Sequence, residues 1–153
     1  METIRIGTCV PGQATEKLLP HFVRAGFECV ALNFHMEFPE KEKVRPLLEG
    51  SPVKVSSIGF YCNALENEGQ RKTLEHFIDN AHLFGTDVVT TFAGALEGQP
   101  VEKAIPRYKE VFGELARRAE AKGVRLAIEN CPMDGTWHKA TCHIGFNPKA
   151  WEM

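Results

Sequence analysis

The sequence predicts an α/β fold, a TIM-type (β/α)8 barrel. The chain contains the part of this barrel up to strand five and the start of helix five. Three observations predict it. A glycine follows each predicted helix, amphipathic helices alternate with short apolar runs, and the repeat has the length of a strand-helix unit. No linker or low-complexity tract interrupts residues 1–153, so we expect a single domain, the N-terminal part of such a barrel.

The glycines mark where helices end. Gly26, Gly50, Gly85 and Gly123 each follow a helical stretch and precede an apolar run by a few residues. Because glycine has no Cβ, it accepts the left-handed conformation that closes a helix. Four such helix-to-strand turns in one chain indicate a repeated βα unit.

Five short runs, rich in β-branched and apolar residues, are predicted to form parallel strands covered by helices. They span residues 4–7, 29–34, 53–60, 87–91 and 125–129. The first and fifth begin four units apart, which gives about 30 residues per unit, as expected for βα repeats. Eight units would need about 250 residues. We therefore expect the chain to stop before the barrel closes.

Amphipathic stripes predict the helices between these strands. The clearest stripes are Leu18, Leu19, Phe22 and Val23, then Leu74, Phe77, Ile78 and Ala81, then Tyr108, Val111, Phe112, Leu115, Ala116 and Ala119. The second helix is expected to be short, because Pro39 can start it and Pro46 limits its length. Asn147 and Pro148 form an N-cap and N1 pair that opens a fifth helix.

An open, doubly wound sheet is the alternative fold, because five strands can complete one. The turn after the first strand, residues 7–12, lacks the GxGxxG pattern, and no P-loop motif occurs in the sequence. These absences weaken only the nucleotide-binding versions of the doubly wound fold. The barrel is the favoured prediction, and the alternative stays open at this point.

Charge, hydropathy and cysteine content limit the classes of function expected. The formal net charge is -2 with scattered Lys and Arg, so we expect no nucleic-acid partner and no binding to a membrane. No leader peptide opens the sequence, and no apolar run approaches the roughly 20 residues of a membrane span, so a cytoplasmic protein is expected. The five cysteines form no CxxC pair and are expected to be reduced. Cys9, Cys62 and Cys131 each follow a predicted strand and are expected near one mouth of the fold.

Glu129 is the strongest candidate for a functional residue. It ends the apolar run of residues 126–128, and active sites of barrels lie at the C-terminal ends of the strands. A carboxylate at a barrel mouth needs a cation or an ion-pair partner. The residues alone therefore leave two interpretations open, a metal ligand or a structural ion pair with Arg or Lys of another strand.

Residues 124–130, VRLAIEN, after a helix that ends at residues 120–123, resemble strand five of the xylose isomerase-like barrels. Residues 57–61 resemble their third strand, and residues 25–32 resemble the approach to their second. The resemblance implies that Glu129 binds a divalent metal (Mn, Mg, Co or Zn) and serves as an acid/base group. It also implies further ligands, an Asp, a His and a second Glu, on strands six to eight, so this chain alone is expected to be inactive.

The resemblance also separates the branches of that family. Its nucleases carry additional metal-binding histidines at the ends of strands three and four, where Phe60 and Phe92 stand here. Aromatic rings cannot ligate a metal but can pack on a sugar, so both are predicted to contact substrate. The resemblance thus implies an isomerase or epimerase of a sugar, sugar phosphate or polyol-derived small molecule, with proton transfer next to a carbonyl.

Three further residues are predicted to contact substrate. His35 follows strand two, and Trp137 and His138 lie in the long polar loop after strand five. Long loops on the active face of a barrel often act as lids. The alternative is a loop that caps the barrel or makes a subunit contact. His143 is expected to be structural.

Two other functions stay open. A lyase or dehydratase can use the same barrel, since a fold does not determine a reaction. A non-catalytic half-barrel that acts by association is the other. We expect self-association, and hence a homo-oligomer, through the unclosed edges of the first and fifth strands and the apolar barrel-facing side chains beside them.

Overall fold

The computed structural model describes residues 4–34, 41–131 and 133–153. These residues form a five-stranded sheet in which every neighbouring pair of strands is parallel. The strands are β1 (Gly7–Pro11), β2 (Cys29–Phe34), β3 (Lys54–Phe60), β4 (Val88–Thr91) and β5 (Arg125–Ile128). Their order in the sheet is their order in the sequence, β1-β2-β3-β4-β5.

Helices connect successive strands. They are α1 (Thr15–Arg24), α2 (Lys41–Leu48), α3 (Glu68–Asn80), α4 (Val101–Ala121) and α5 (Pro148–Trp151), with 3-10 turns at Gly12–Ala14 and Ala81–Phe84. Because parallel crossovers are right-handed, a sheet in sequential order carries all its helices on one face. A doubly wound sheet instead reverses its order at a switch point. The sequential order therefore excludes the doubly wound alternative and confirms the first five strands of a (β/α)8 barrel.

The main core lies between the sheet and the helices. Val30 and Leu32 of β2 are fully buried on this side of the sheet. Phe77 of α3 packs on Phe60 of β3, with ring centroids 5.2 Å apart, and on Phe34 of β2 at 6.1 Å. Alternate residues of each strand therefore face the helices, and the residues between them face the inner side of the sheet.

The helices end at the glycines that the sequence predicted. Gly26, Gly50, Gly85 and Gly123 all have positive φ, between 66° and 81°. The helix α2 is short, as predicted, and ends two residues after Pro46; Pro39 lies outside the described residues. Asn147 caps α5 by accepting the Lys149 N–H at 3.0 Å, and Pro148 occupies the first turn.

The first strand differs from the prediction. It was expected at residues 4–7, but pairing with β2 runs from Gly7 to Pro11. Ile4 and Ile6 are 91% and 68% exposed, whereas Val10 is fully buried. Because β2 begins only at Cys29, after a helix-to-strand turn, the regular ladder starts at Gly7, although the Glu28 N–H still donates to the Ile6 carbonyl at 2.9 Å. The apolar pair before Gly7 therefore precedes the strand instead of forming it.

The inner face of β2, β3 and β4 carries small and mostly polar residues. Its side chains in the layers below the strand ends include Ala31, Asn33, Ser57 and Thr90, with Gly59 between them. Across the described ranges, no helix is long and apolar enough to cross a membrane.

Asn67 gives a first test of local stability. Its side-chain oxygen accepts the Gln70 N–H at 3.0 Å and so caps α3. We expect Asn67→Ala to lower the free energy of unfolding by about 1 kcal/mol, because the cap satisfies a helix N–H that otherwise lacks a partner. Asn67→Asp keeps the acceptor and is the matched control. Urea unfolding measures both variants, and equal losses in the two would contradict the capping role.

Candidate active site at the ends of the strands

A cleft of about 520 Å³ opens at the C-terminal ends of β2 to β5. It is lined by Asn33, Tyr61, Cys62, Asn63, Gln70, Phe92, Glu129, Cys131, Met133 and Cys142. This is the end of the sheet at which barrels of this type place their active sites. All five cysteines are free. Cys62 and Cys131 reach this cleft, as their positions after strands predicted, whereas Cys9 lies within β1 and does not line it.

Glu129 stands at the edge of the cleft, directly after β5. Its backbone N–H donates to the Thr91 carbonyl at 3.0 Å, so the pairing between β4 and β5 continues up to this residue. Its side chain is exposed, and its carboxylate is hydrogen-bonded to the Tyr61 hydroxyl. No ion pair of Glu129 with Lys or Arg occurs within the described ranges, which argues against the ion-pair interpretation.

Tyr61 connects Glu129 to the floor of the cleft. Its hydroxyl also contacts Thr90 Oγ1 at 3.2 Å. Burial raises the pKa of Tyr61 to about 12, and the nearby Glu129 carboxylate raises it further, while the Thr90 contact opposes the shift. The phenol therefore stays protonated at neutral pH, and it can donate its proton to the Glu129 carboxylate.

His143 holds the backbone of Glu129 from behind. It is fully buried, and its Nδ1 accepts the N–H groups of Ala93 at 3.0 Å and Gly145 at 3.3 Å. Because Nδ1 accepts two N–H groups, we assign the ring proton to Nε2. The ring also bonds the backbone of Glu129, and Nε2 lies 3.5 Å from the Cys131 nitrogen. Burial lowers the pKa of His143 to about 4, so the ring is neutral. The expectation of a structural histidine agrees with this placement.

Phe92 fills the space between these groups. Its ring stacks on His143 with centroids 5.0 Å apart and meets the Tyr61 ring at 5.0 Å in a tilted arrangement. The three rings form a continuous wall that ends at the Glu129 carboxylate. Phe92 lines the cleft, at the position where a substrate contact was predicted.

The loops around the cleft are tied to one another. Asn63 Oδ1 accepts the Ala95 N–H at 3.0 Å, and Asn63 Nδ2 donates to Glu66 at 3.3 Å. Glu66 in turn accepts the Glu97 N–H at 3.1 Å. Gly94, with φ of 75°, lies so close that a Cβ there would be 2.8 Å from Asn63 Oδ1. The loops after β3 and β4 therefore form one packed rim.

Phe60 is a correction to the sequence prediction. It is 2% exposed and packs on Phe77 in the core between sheet and helices, away from the cleft. Since successive strand residues face opposite sides, the neighbouring Tyr61 takes the cleft position. Counting outward from the buried Ile58 would have placed Phe60 on the helix side and Tyr61 on the inner side.

The loop after β5 is also placed differently from the prediction. Trp137 donates from Nε1 to the Glu102 carboxylate, and its carbonyl accepts the Val101 N–H at 3.0 Å. Lys149 Nζ lies 4.3 Å from the centroid of the Trp137 ring. His138 is exposed and lies near the same Glu102. Both residues therefore lie at the start of α4 and do not line the cleft, so the predicted lid contacts are not found. His35 lies outside the described residues.

The donor chemistry at Glu129 fits a hard divalent cation, since carboxylate oxygens are the ligands such ions prefer. Within the part of the chain that the structure describes, no three His, Cys, Asp or Glu side chains gather to hold an ion. Among the described residues, Glu129 is therefore a candidate for one carboxylate ligand and not a complete set.

The fold and cleft together define a class, the α/β barrels with a carboxylate at the end of strand five. The family model described as xylose isomerase-like TIM barrel matches residues 21–148. The chain belongs to this family. A search of curated proteins found no significant match.

Solved structures agree on the fold. A xylose isomerase-like TIM barrel protein from Mycobacterium smegmatis in complex with magnesium has a TM-score of 0.61 and 20% identity, over 82% of this chain and 55% of that one. A D-allulose 3-epimerase from Methylomonas sp. has a TM-score of 0.64 and 13% identity, over 90% and 55%. An AP endonuclease, family 2, from Brucella melitensis has a TM-score of 0.67 and 13% identity, over 89% and 59%. The chain thus spans little more than half of each of these proteins.

Proposed function

We propose that a barrel containing this chain is a metal-dependent isomerase or epimerase of a sugar or polyol-derived substrate. The observation that carries the proposal is the Glu129 carboxylate, exposed at the end of β5 and bonded to the Tyr61 hydroxyl at the edge of a cleft. Membership of the xylose isomerase-like family and the similarity to a D-allulose 3-epimerase support it.

In this proposal Glu129 has two roles. Its carboxylate supplies one ligand to a divalent ion, and a bound ion would polarise the substrate carbonyl. One carboxylate oxygen takes the proton from the carbon next to that carbonyl and returns it to a neighbouring atom. The Tyr61 hydroxyl donates to the carboxylate and so favours one orientation of it. The His143 hydrogen bond fixes the Glu129 backbone, so the side chain starts from a rigid position.

The remaining cleft residues suit a neutral sugar. The rings of Tyr61 and Phe92 offer apolar faces on which the C–H groups of a sugar ring can pack. Asn33, Asn63 and Gln70 offer neutral hydrogen-bonding groups. The D-allulose 3-epimerase of Methylomonas was also solved in complex with D-allulose, which is a ligand of this chemical kind.

Deuterium exchange tests the proposed function. We expect a chain that completes the barrel to exchange the proton next to the carbonyl of a ketohexose in D2O only when Mn²⁺, Mg²⁺ or Co²⁺ is present. Proton NMR follows the loss of that signal. A metal-loaded, folded protein that exchanges no proton in any ketohexose, aldose or sugar phosphate offered would overturn the proposal.

The similarity to an AP endonuclease calls for a separate prediction. We expect the same complete barrel not to cleave DNA at abasic sites. Phosphate binding relies on Lys and Arg, and neither residue type is found among those that line the cleft in the described part of the chain. A nicking assay with added Zn²⁺, Mg²⁺ or Mn²⁺, with an endonuclease IV-type enzyme as positive control, measures this. Robust metal-dependent nicking would contradict the assignment to the sugar branch.

A further inference from the structure

Asn33 occupies the floor of the cleft at a position shared by three strands. It pairs in register with Gly59 of β3, which pairs with Thr90 of β4. All three positions are on the inner face of the sheet, and the next layer toward the strand ends holds Tyr61 and Glu129. The Thr90 hydroxyl contacts the Tyr61 hydroxyl at 3.2 Å, and Tyr61 contacts the Glu129 carboxylate. Polar groups therefore extend in a row from Asn33 to Glu129.

The side-chain oxygen of Asn33 has no hydrogen-bond partner among the described residues. Among the described residues, Oδ1 of Asn33 is the buried side-chain atom for which no hydrogen bond is found. A buried acceptor without a donor is unfavourable, and native proteins rarely retain one without a reason. Oδ1 itself is closed to solvent, but Asn33 is only part-buried and lines the cleft, so rotation of its terminal amide brings the oxygen within reach of a donor that enters there.

Gly59 permits this arrangement. A Cβ at position 59 would lie 2.5 Å from Thr90 Oγ1, 2.9 Å from Asn33 Oδ1 and 3.0 Å from the Tyr61 ring. Any side chain there would push these groups apart. The absence of a side chain at position 59 therefore lets an amide, a hydroxyl and a phenol converge on the floor of the cleft.

We propose that Asn33 is a specificity-determining residue whose side-chain amide binds a hydroxyl group of a neutral sugar. The inference rests on the proposed function, and it adds the chemical class of the group bound and the residue that binds it. A substrate O–H supplies the donor that Asn33 Oδ1 lacks. A neutral amide near the Glu129 carboxylate suits an uncharged hydroxyl better than a phosphate.

Saturation-transfer NMR on the 153-residue chain tests this, with the neutral ketohexose D-fructose as the probe. We expect Asn33→Leu, which keeps the size but removes the amide, to weaken binding about 3- to 10-fold, the loss typical of one neutral hydrogen bond. Asn33→Asp keeps an acceptor at the same place and should retain binding within about 3-fold. The control, Asn80→Ala, removes an asparagine that bonds His76 on α3, away from the cleft, and should bind as the parent does.

The outcomes separate the two proposals. If Asn33→Leu binds D-fructose as tightly as the parent, the Asn33 amide does not bind the sugar. This inference then fails, while the proposed function stands. If the parent itself gives no saturation transfer from D-fructose, this inference fails, and the proton-exchange assay on the complete barrel decides the proposed function separately. Circular dichroism melts check folding, and Asn33→Ala, which adds no bulk, replaces the leucine variant if that variant melts well below the parent.

Discussion

Replacing Glu129 by Gln is expected to lower turnover by at least about 100-fold in a chain that completes the barrel, the lower end of typical acid-base contributions. Glutamine keeps the size and one carbonyl oxygen but loses the charge and the basicity. Metal binding should weaken as well, because a carboxylate is a far better ligand than an amide for a hard cation. Calorimetric titration with Mn²⁺ and a proton-exchange assay measure the two effects on one preparation.

Glu114→Gln is the matched control, since Glu114 is exposed on α4 and lies outside the cleft. It should leave metal affinity and turnover unchanged. The fold of Glu129→Gln should survive, because the carboxylate is exposed and carries no ion pair among the described residues. A variant that melts far below the parent yet binds Mn²⁺ as tightly would show that Glu129 is a structural residue, and the site assignment would fail.

His143 should make the fold sensitive to acid. Burial lowers its pKa to about 4 in the folded chain, against an ordinary value of 6.5. Between these two pH values the unfolded chain binds more protons than the folded chain, so stability rises with pH over this window and is level above it. The contribution lost on acidification from pH 6.5 to below 4 is about 3 kcal/mol, at about 1.4 kcal/mol for each pH unit.

Urea unfolding at pH 7, 5.5 and 4.5 measures this dependence. His143→Gln should be less stable than the parent at pH 7 and should show a flatter loss on acidification, because no imidazole remains to be protonated. His82→Gln, at an exposed position on the 3-10 turn after α3, is the control and should follow the parent. A His143→Gln variant that loses stability with acid as steeply as the parent would contradict the assignment of the acid response to this ring.

The repeated unit could be predicted because its signals are local. Each of the four glycines at a helix end is explained by its own left-handed turn, without reference to the rest of the chain. Asn147 and Pro148 likewise specify the start of a helix by themselves. The first strand was misplaced because its limits depend on where β2 begins to offer partners, which the residues before Gly7 do not encode.

The site was predicted only in part for the same reason. Glu129 and Phe92 could be found because each directly follows a recognisable strand. Phe60 and Tyr61 are adjacent, and which of them faces the cleft depends on strand alternation, not on residue type. Asn33 gained its importance from Gly59 and Thr90 on other strands, and this convergence is a property of the register of the sheet.

The sequential order of the sheet also bears on how the chain folds during synthesis. Each strand pairs with the strand made just before it, so its partner lies only about 20 to 40 residues earlier in the chain, and closing such loops is rapid compared with translation. The β1–β2 pair can therefore form on the ribosome before β4 is made. The residues around Glu129 then join a surface that Asn33, Tyr61 and Phe92 have already built, which makes the cleft the last part of this chain to be assembled.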